Sequence, residues 1–181
     1  MADSNFSEAT AFKSVIKEVK KGEVLLRNGD PCDSFFKVVN GCLRSYIVDL
    51  KGKEHIVQFA PEDWMIGDQE SAFNHLPATL NIDAIEDSTI TIIKFVKSEH
   101  NFADLDKESL VDINRKFQKR IFVLQKRIIQ LMSANAEERY NEFNLTYPNL
   151  VKRVPQKMIA SYLGITPESL SRVRKEIITK K

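Results

Sequence analysis

Residues 154–175 read VPQKMIASYLGITPESLSRVRK, and this stretch decides how the rest of the chain is read. Met158, Ile159 and Leu163 recur at helical spacing, so the stretch opens as a helix with one apolar face. Gly164 follows directly, where a residue free to adopt positive φ ends a helix. Thr166 then offers a capping oxygen, and Pro167 takes the first helical position, where its missing N–H is no loss. In the second helix Leu170, Val173 and Ile177 share one face, while Glu168, Ser171, Arg172 and Lys175 share the other. Two helices, a tight turn and a polar outer face form a helix-turn-helix pattern, whose second helix enters the major groove with its N-terminal residues foremost.

Glu168 and Arg172 lie four residues apart and therefore stand side by side on the helix. A carboxylate accepts from the cytosine N4 amine, and a guanidinium fork bonds guanine O6 and N7. The same spacing also suits an ordinary ion pair on a wet helix face; inside a complete helix-turn-helix, base reading is the favoured role. The segment resembles the DNA-binding motif of the Crp/Fnr family of bacterial transcription regulators. The Fnr branch of that family carries E-x-x-S-R, which stands here as Glu168-Ser169-Leu170-Ser171-Arg172. The resemblance implies base reading by Glu168, Ser171 and Arg172, with Thr166, Ser169 and Lys175 on neighbouring phosphates.

Charge supports the same end of the chain. The 181 residues carry a formal net charge of only +2, but it is unevenly spread. Residues 1–105 hold 11 Lys/Arg against 17 Asp/Glu, whereas residues 151–181 hold 8 against 2. Lys152, Arg153, Lys157, Arg174, Lys180 and Lys181 are natural phosphate partners beside the second helix. A solvated basic tail is the plain alternative, but it leaves the coincidence with the helix pair unexplained.

Between residues 19 and 97, short β-type runs alternate with turn residues. They are Val24–Leu26, Phe35–Val39, Cys42–Val48, His55–Phe59, Leu80–Ala84 and Thr89–Phe95. Asn40-Gly41 between two apolar runs predicts a hairpin. Many short strands at this spacing suggest a jelly roll or barrel. Here too the chain resembles the Crp/Fnr family, in GEVLLRNGD (Gly22–Asp30), FFKVVNGCLRSY (Phe35–Tyr46) and FAPEDWMIGD (Phe59–Asp68). The expected fold is α+β. It comprises an N-terminal double-stranded β-helix, or jelly roll, over 1–105, a dimerisation helix over 106–134, and a helix-turn-helix over 135–181. Family members continue past the second helix into a β-hairpin wing; the sequence stops at Lys181, so a full wing is not expected.

In nucleotide-binding members a G-E pair contacts the ribose, and the Arg of R-[ST]-A clamps the cyclic phosphate. Gly67-Asp68 stands at the first place and Ala78-Thr79-Leu80 at the second, so the Arg is missing. No Lys or Arg occurs from Glu54 to Ile93, a stretch with eight acids. The long helix offers no Ser or Thr at the level where cyclic-AMP readers contact the base; Leu124 and Gln125 lie there instead. The effector pocket, formed by Gly67, Asp68, Ala78, Thr79, Leu124 and Gln125, is therefore expected not to take cyclic AMP. Any small-molecule effector is of unknown identity. The Fnr branch proper holds an iron–sulfur cluster on four cysteines; this chain has two, Cys32 and Cys42, and no cluster is expected.

Residues 106–133 form one long helical pattern. Phe117, Ile121, Leu124, Ile128 and Leu131 follow coiled-coil spacing and predict a parallel homodimer seam. Phe122, Val123 and Ile129 widen the apolar surface, which is read as packing on the β-roll, and Arg115, Lys116, Lys119, Arg120, Lys126 and Arg127 decorate the remaining faces. Asn135 and Glu138 form a capping box for the helix that follows, in which Arg139 and Tyr140 are read as structural. The partners expected are double-stranded DNA carrying an inverted repeat, a second copy of the chain, and RNA polymerase, whose contact surface the sequence does not locate. No apolar run is long enough for a membrane span and no secretory signal is seen, so a cytoplasmic location is expected.

Two other readings fit the sequence less well. A cupin-like metal enzyme needs clustered ligands, but His55, His75 and His100 are scattered and no nucleophile–base set is assembled, so no catalytic residue and no metal are expected. A β-roll sensor or interaction module without functional DNA binding is opposed by the intact E-x-x-S-R face.

Overall fold

The computed structural model of the chain describes residues 12–95 and 106–179. The strands are β1 (Phe12–Val19), β2 (Val24–Leu26), β3 (Ser34–Asn40), β4 (Leu43–Val48), β5 (Glu54–Ala60), β6 (Met65–Ile66), β7 (Asn81–Ala84) and β8 (Ser88–Phe95). The α-helices are α1 (Gln69–Asn74), α2 (Lys107–Ser133), α3 (Ala136–Thr146), α4 (Gln156–Leu163) and α5 (Pro167–Thr179). The chain is thus α+β, and each β-type run read from the sequence falls in a strand to within one residue.

The strands form two four-stranded sheets, in the orders β1-β8-β3-β6 and β2-β7-β4-β5. These are the strand orders of a jelly roll. One apolar cluster joins them: Val19, Phe36, Val38, Ile66 and Ile90 from the first sheet meet Leu26, Leu43, Ala60, Ile82 and Ala84 from the second. On the opposite side of the second sheet Arg44 faces Asp83 across β4 and β7. Both are buried, and the guanidinium binds both carboxylate oxygens, at 2.7 and 2.8 Å. A bidentate pair of this kind satisfies two charges that would be costly to bury singly.

The Asn40-Gly41 hairpin is not formed. β3 is bonded to β8 and β6, and β4 to β7 and β5, so the chain crosses from one sheet to the other at Gly41. Gly41 has φ 96°, and a Cβ there would lie 2.2 Å from Ser88 Oγ and 2.8 Å from Ser88 Cα. The dipeptide thus serves a tight corner against β8. The hairpin of this region is β4–β5, closed over Lys51-Gly52, where Gly52 N–H donates to Asp49 O at 2.9 Å.

Contact density divides the chain into two compact units, residues 1–47 with 57–117 and residues 48–56 with 118–181. The tip of the β4–β5 hairpin and most of α2 therefore belong to the second unit, together with α3, α4 and α5. Its core is built on Tyr140, Phe143, Tyr147, Leu150, Ile159, Tyr162, Leu163, Leu170 and Val173, all buried. Phe143, Tyr147 and Tyr162 form a three-ring cluster with centroids 5.3–5.8 Å apart. Asn135 caps α3 through a complete capping box with Glu138, as the sequence predicts.

Candidate nucleic-acid interface

α5 is held from one side only. Leu170 is fully buried and Val173 is 7% exposed, whereas Glu168, Ser171, Arg172 and Lys175 are all exposed. The helix begins as its sequence dictates. Gly164 ends α4 with φ 66°, and Thr166 Oγ1 accepts the Ser169 N–H at 3.2 Å. Thr166 also donates to Ser169 Oγ at 3.2 Å, so both hydroxyls serve the cap. The backbone N–H of Glu168 and the Thr166 hydroxyl hold the Glu168 carboxyl below its ordinary value, which leaves it an acceptor at neutral pH. Among the described residues Arg172 makes no hydrogen bond or ion pair, so the alternative of a Glu168–Arg172 ion pair is not formed. An uncommitted guanidinium and an ionised carboxylate one helical turn apart are what reading a G·C step requires.

The basic residues around this face differ in availability. Lys152 and Lys157 are exposed; Arg174 is half-buried. Arg153 is half-buried and engaged within the fold, which makes it a poor phosphate partner compared with the lysines. Lys180 and Lys181 lie outside the described residues, as does His100.

Of the residues read as an effector pocket, Gly67, Asp68, Ala78 and Thr79 lie in the first unit, where their polar groups are held within the chain. Asp68 is 3% exposed and caps α1, its Oδ1 accepting the Ser71 N–H at 3.2 Å. Its Oδ2 accepts the Thr79 N–H at 2.8 Å, the Thr79 hydroxyl at 2.9 Å and the Leu80 N–H at 3.2 Å. Burial pushes this carboxyl up, but the bonds from Thr79, Ser71 and Leu80 outweigh it and leave the group below its ordinary value. Gly67 precedes it because the backbone runs against Phe35, where a Cβ would meet the ring at 2.3 Å. Ala78 is buried, and its amide and carbonyl pair with Asp30 and Gly29. The Thr79 amide and hydroxyl are therefore already bonded to a carboxylate of the chain itself. The acidity of the region is milder than the sequence suggests, because Arg44 neutralises Asp83 and Lys20 bonds Asp87 at 2.9 Å. Leu124 is half-buried and Gln125 exposed on α2, in the second unit.

The free stripe of α2 is broader than the predicted seam. Ile121, Ile128 and Leu131 are exposed, while Phe117 and Leu124 are partly covered by their own chain. Phe122 and Ile129, expected to be covered, are 65% and 54% exposed, and Met132 is 82% exposed. Arg127 is no surface decoration either: it is half-buried, its guanidinium 4.1 Å above the Tyr162 ring. The thiols of Cys32 and Cys42 are both buried, and burial pushes the Cys32 thiol up.

Residues 16–97 match the family model of the cyclic nucleotide-binding domain. The electron transport regulator A of Shewanella oneidensis is 29% identical over 172 residues, covering 87% of this chain and 66% of that protein. The transcriptional activator protein FnrA of Stutzerimonas stutzeri is 27% identical, covering 93% and 74%. The chain is thus similar, over most of its length, to transcription regulators of the Fnr type. Among solved structures, FixK2 from Bradyrhizobium japonicum superposes with a TM-score of 0.75 at 20% identity, over 93% of this chain and 86% of the other, and so shares its fold. The chain spans about two thirds to three quarters of the length of the first two curated relatives. Among the described residues no helix is long and apolar enough to cross a membrane.

Proposed function

We propose that the chain is a sequence-specific regulator of transcription that binds an inverted repeat in duplex DNA as a homodimer. The observation that carries this reading is the outer row of α5. Glu168, Ser171, Arg172 and Lys175 are presented to solvent over a buried Leu170 and Val173, and the guanidinium is unpaired among the described residues. α4 and α5, joined by three residues, act as the helix-turn-helix. Lys152, Lys157 and Arg174 contact phosphates. The test is equilibrium binding to labelled duplexes across a salt series. A regulator using four or more phosphate contacts loses affinity with a log–log slope of about −0.9 per contact and keeps a preference for certain duplexes. A flat salt response contradicts the reading.

Dimerisation is supported by α2, where Ile121, Phe122, Ile128, Ile129 and Met132 are exposed apolar side chains on both sides of Gln125, and the occupant is a second copy of α2. Ile129→Asp is expected to shift the protein from dimer to monomer in sedimentation velocity, with the far-ultraviolet circular dichroism unchanged. An Ile129→Asp protein that stays dimeric excludes this stripe as the seam.

The roll does not take cyclic AMP. No Arg stands at the Ala78-Thr79-Leu80 position, and the donors there hold the Asp68 carboxylate. Titration calorimetry with cyclic AMP is expected to show no binding; a micromolar Kd overturns this. With two cysteines, both buried, the chain carries no four-thiolate iron–sulfur cluster.

A further inference from the structure

We propose that Arg127 and Arg139 are positioning residues that fix the heading of α5 on α2, and so select the spacing between the two half-sites. The inference rests on the DNA-binding reading above and starts from the end of α4. A helix leaves its last four carbonyls without partners of its own. In α4 these belong to Ala160, Ser161, Tyr162 and Leu163. The Gly164 N–H donates to Ser161 O at 3.1 Å and the Ile165 N–H to Ala160 O at 3.0 Å. The two that remain are taken by arginines from other helices. Arg127 Nη2, from α2, donates to Tyr162 O at 3.0 Å, and Arg139 Nη1, from α3, donates to Leu163 O at 3.1 Å.

Both guanidinium groups hold something else as well. Arg139 donates through Nη2 to Leu131 O at 3.1 Å and through Nε to Ala134 O at 3.0 Å, which caps the end of α2. Arg127 donates through Nη2 to Ile56 O at 2.8 Å on β5 and stacks on the Tyr162 ring. The end of α4 is thereby fastened to the last turns of α2 by two guanidinium groups, Arg139 through all three of its nitrogens and Arg127 through Nη2 and its ring stack. A lysine ammonium, with its donors on one atom and no planar face, cannot reach the three Arg139 carbonyls in fixed directions or lie flat on the Tyr162 ring as Arg127 does. α5 begins after three intervening residues and is packed on α3 and α4 through Leu170 and Val173. Its heading is inherited from the fastened end.

In a dimer paired through α2, the separation of the two α5 helices follows from that pairing and from these two fastenings. The tolerance is small, because about 3.4 Å of displacement is one base pair of register. Neither arginine belongs to the exposed row that meets DNA; both are half-buried.

The test uses the full chain and a duplex library in which the selected half-sites are separated by spacers of varied length. Wild type, Arg127→Lys, Arg139→Lys and Ser161→Ala are compared. Ser161→Ala removes only the links from Ser161 Oγ to Ile56 N and Glu54 O and leaves both guanidinium contacts. We expect wild type and Ser161→Ala to prefer one spacer. Both Arg→Lys proteins should remain dimers, keep the wild-type base preference within a half-site, and lose at least ten-fold of the discrimination between that spacer and its neighbours. Thermal melts identify a variant that has lost its fold, and Arg139→Gln, which keeps a planar donor, then takes its place. Folded variants with the wild-type spacer profile and only a uniform loss of affinity overturn the proposal. A wild-type protein that selects no sequence at all overturns the DNA-binding reading, and this inference with it.

Discussion

Arg172→Ala is expected to weaken binding to the best duplex by about 1–3 kcal/mol and to make one base position in each half-site indifferent. The loss should concentrate at one position because Arg172 is exposed on the outer row of α5 and unpaired among the described residues, so removing it frees nothing inside the fold. Thermal stability should therefore stay within about 0.5 kcal/mol of wild type, as for an exposed substitution away from caps and core. Lys157→Ala, on the exposed start of α4, provides the contrast: it should weaken every duplex evenly and reduce the salt slope by about one contact. Competition binding against single-base variants of the best site distinguishes the two patterns. An Arg172→Ala protein that loses affinity evenly, as Lys157→Ala does, removes base reading from Arg172.

The second large effect is on stability. Asp68→Ala is expected to cost about 2–4 kcal/mol, because it removes the cap of α1 and leaves the Thr79 and Leu80 amides without their acceptor. Denaturant titration measures the loss. The pH dependence has a definite sign. The folded carboxyl lies below its ordinary value, so its contribution is fully present above the unfolded value of about 3.9 and is lost as pH falls through the folded value. Asp68→Asn has nearly the same shape but does not titrate at this position. The stability gap between wild type and Asp68→Asn should therefore be widest near neutral pH and close in acid below about pH 4. A gap that is constant over this range, or that widens in acid, contradicts the placement of Asp68 as an ionised acceptor for Thr79 and Leu80.

Much of this molecule is written in short-range signals. Gly164, Thr166 and Pro167 mark the turn between α4 and α5 because caps and fixed φ angles act over three or four residues. Leu170, Val173 and Ile177 mark the inner face of α5 because helical periodicity is equally local. The capping box of α3 is legible for the same reason. What the sequence hides is non-local. Asn40-Gly41 announces a turn correctly, but its chemistry does not say which sheet each flank joins, and the structure sends β3 and β4 to different sheets. β1 carries Val15 and Ile16 among charged residues, and β6 is two residues long, so neither rises above its surroundings as a run. Asp68 resembles a surface acid until Thr79, eleven positions along, closes on it. Arg127 and Arg139 look like ordinary charges on helix faces, since nothing near them in sequence announces the orphaned carbonyls of Tyr162 and Leu163. For α2, coiled-coil spacing identifies an apolar stripe, but the spacing alone does not say which of its positions stay exposed.

The central claim is that α5 reads base pairs in a two-fold assembly, and selection of bound duplexes from a random pool tests it most directly. The account predicts enrichment of an inverted repeat whose half-sites are centred about 34 Å apart, one turn of the double helix. Each half-site should contain a G·C pair at the position that becomes indifferent in Arg172→Ala. A pool that stays unenriched after repeated rounds, or that converges on a single unrepeated site, contradicts it.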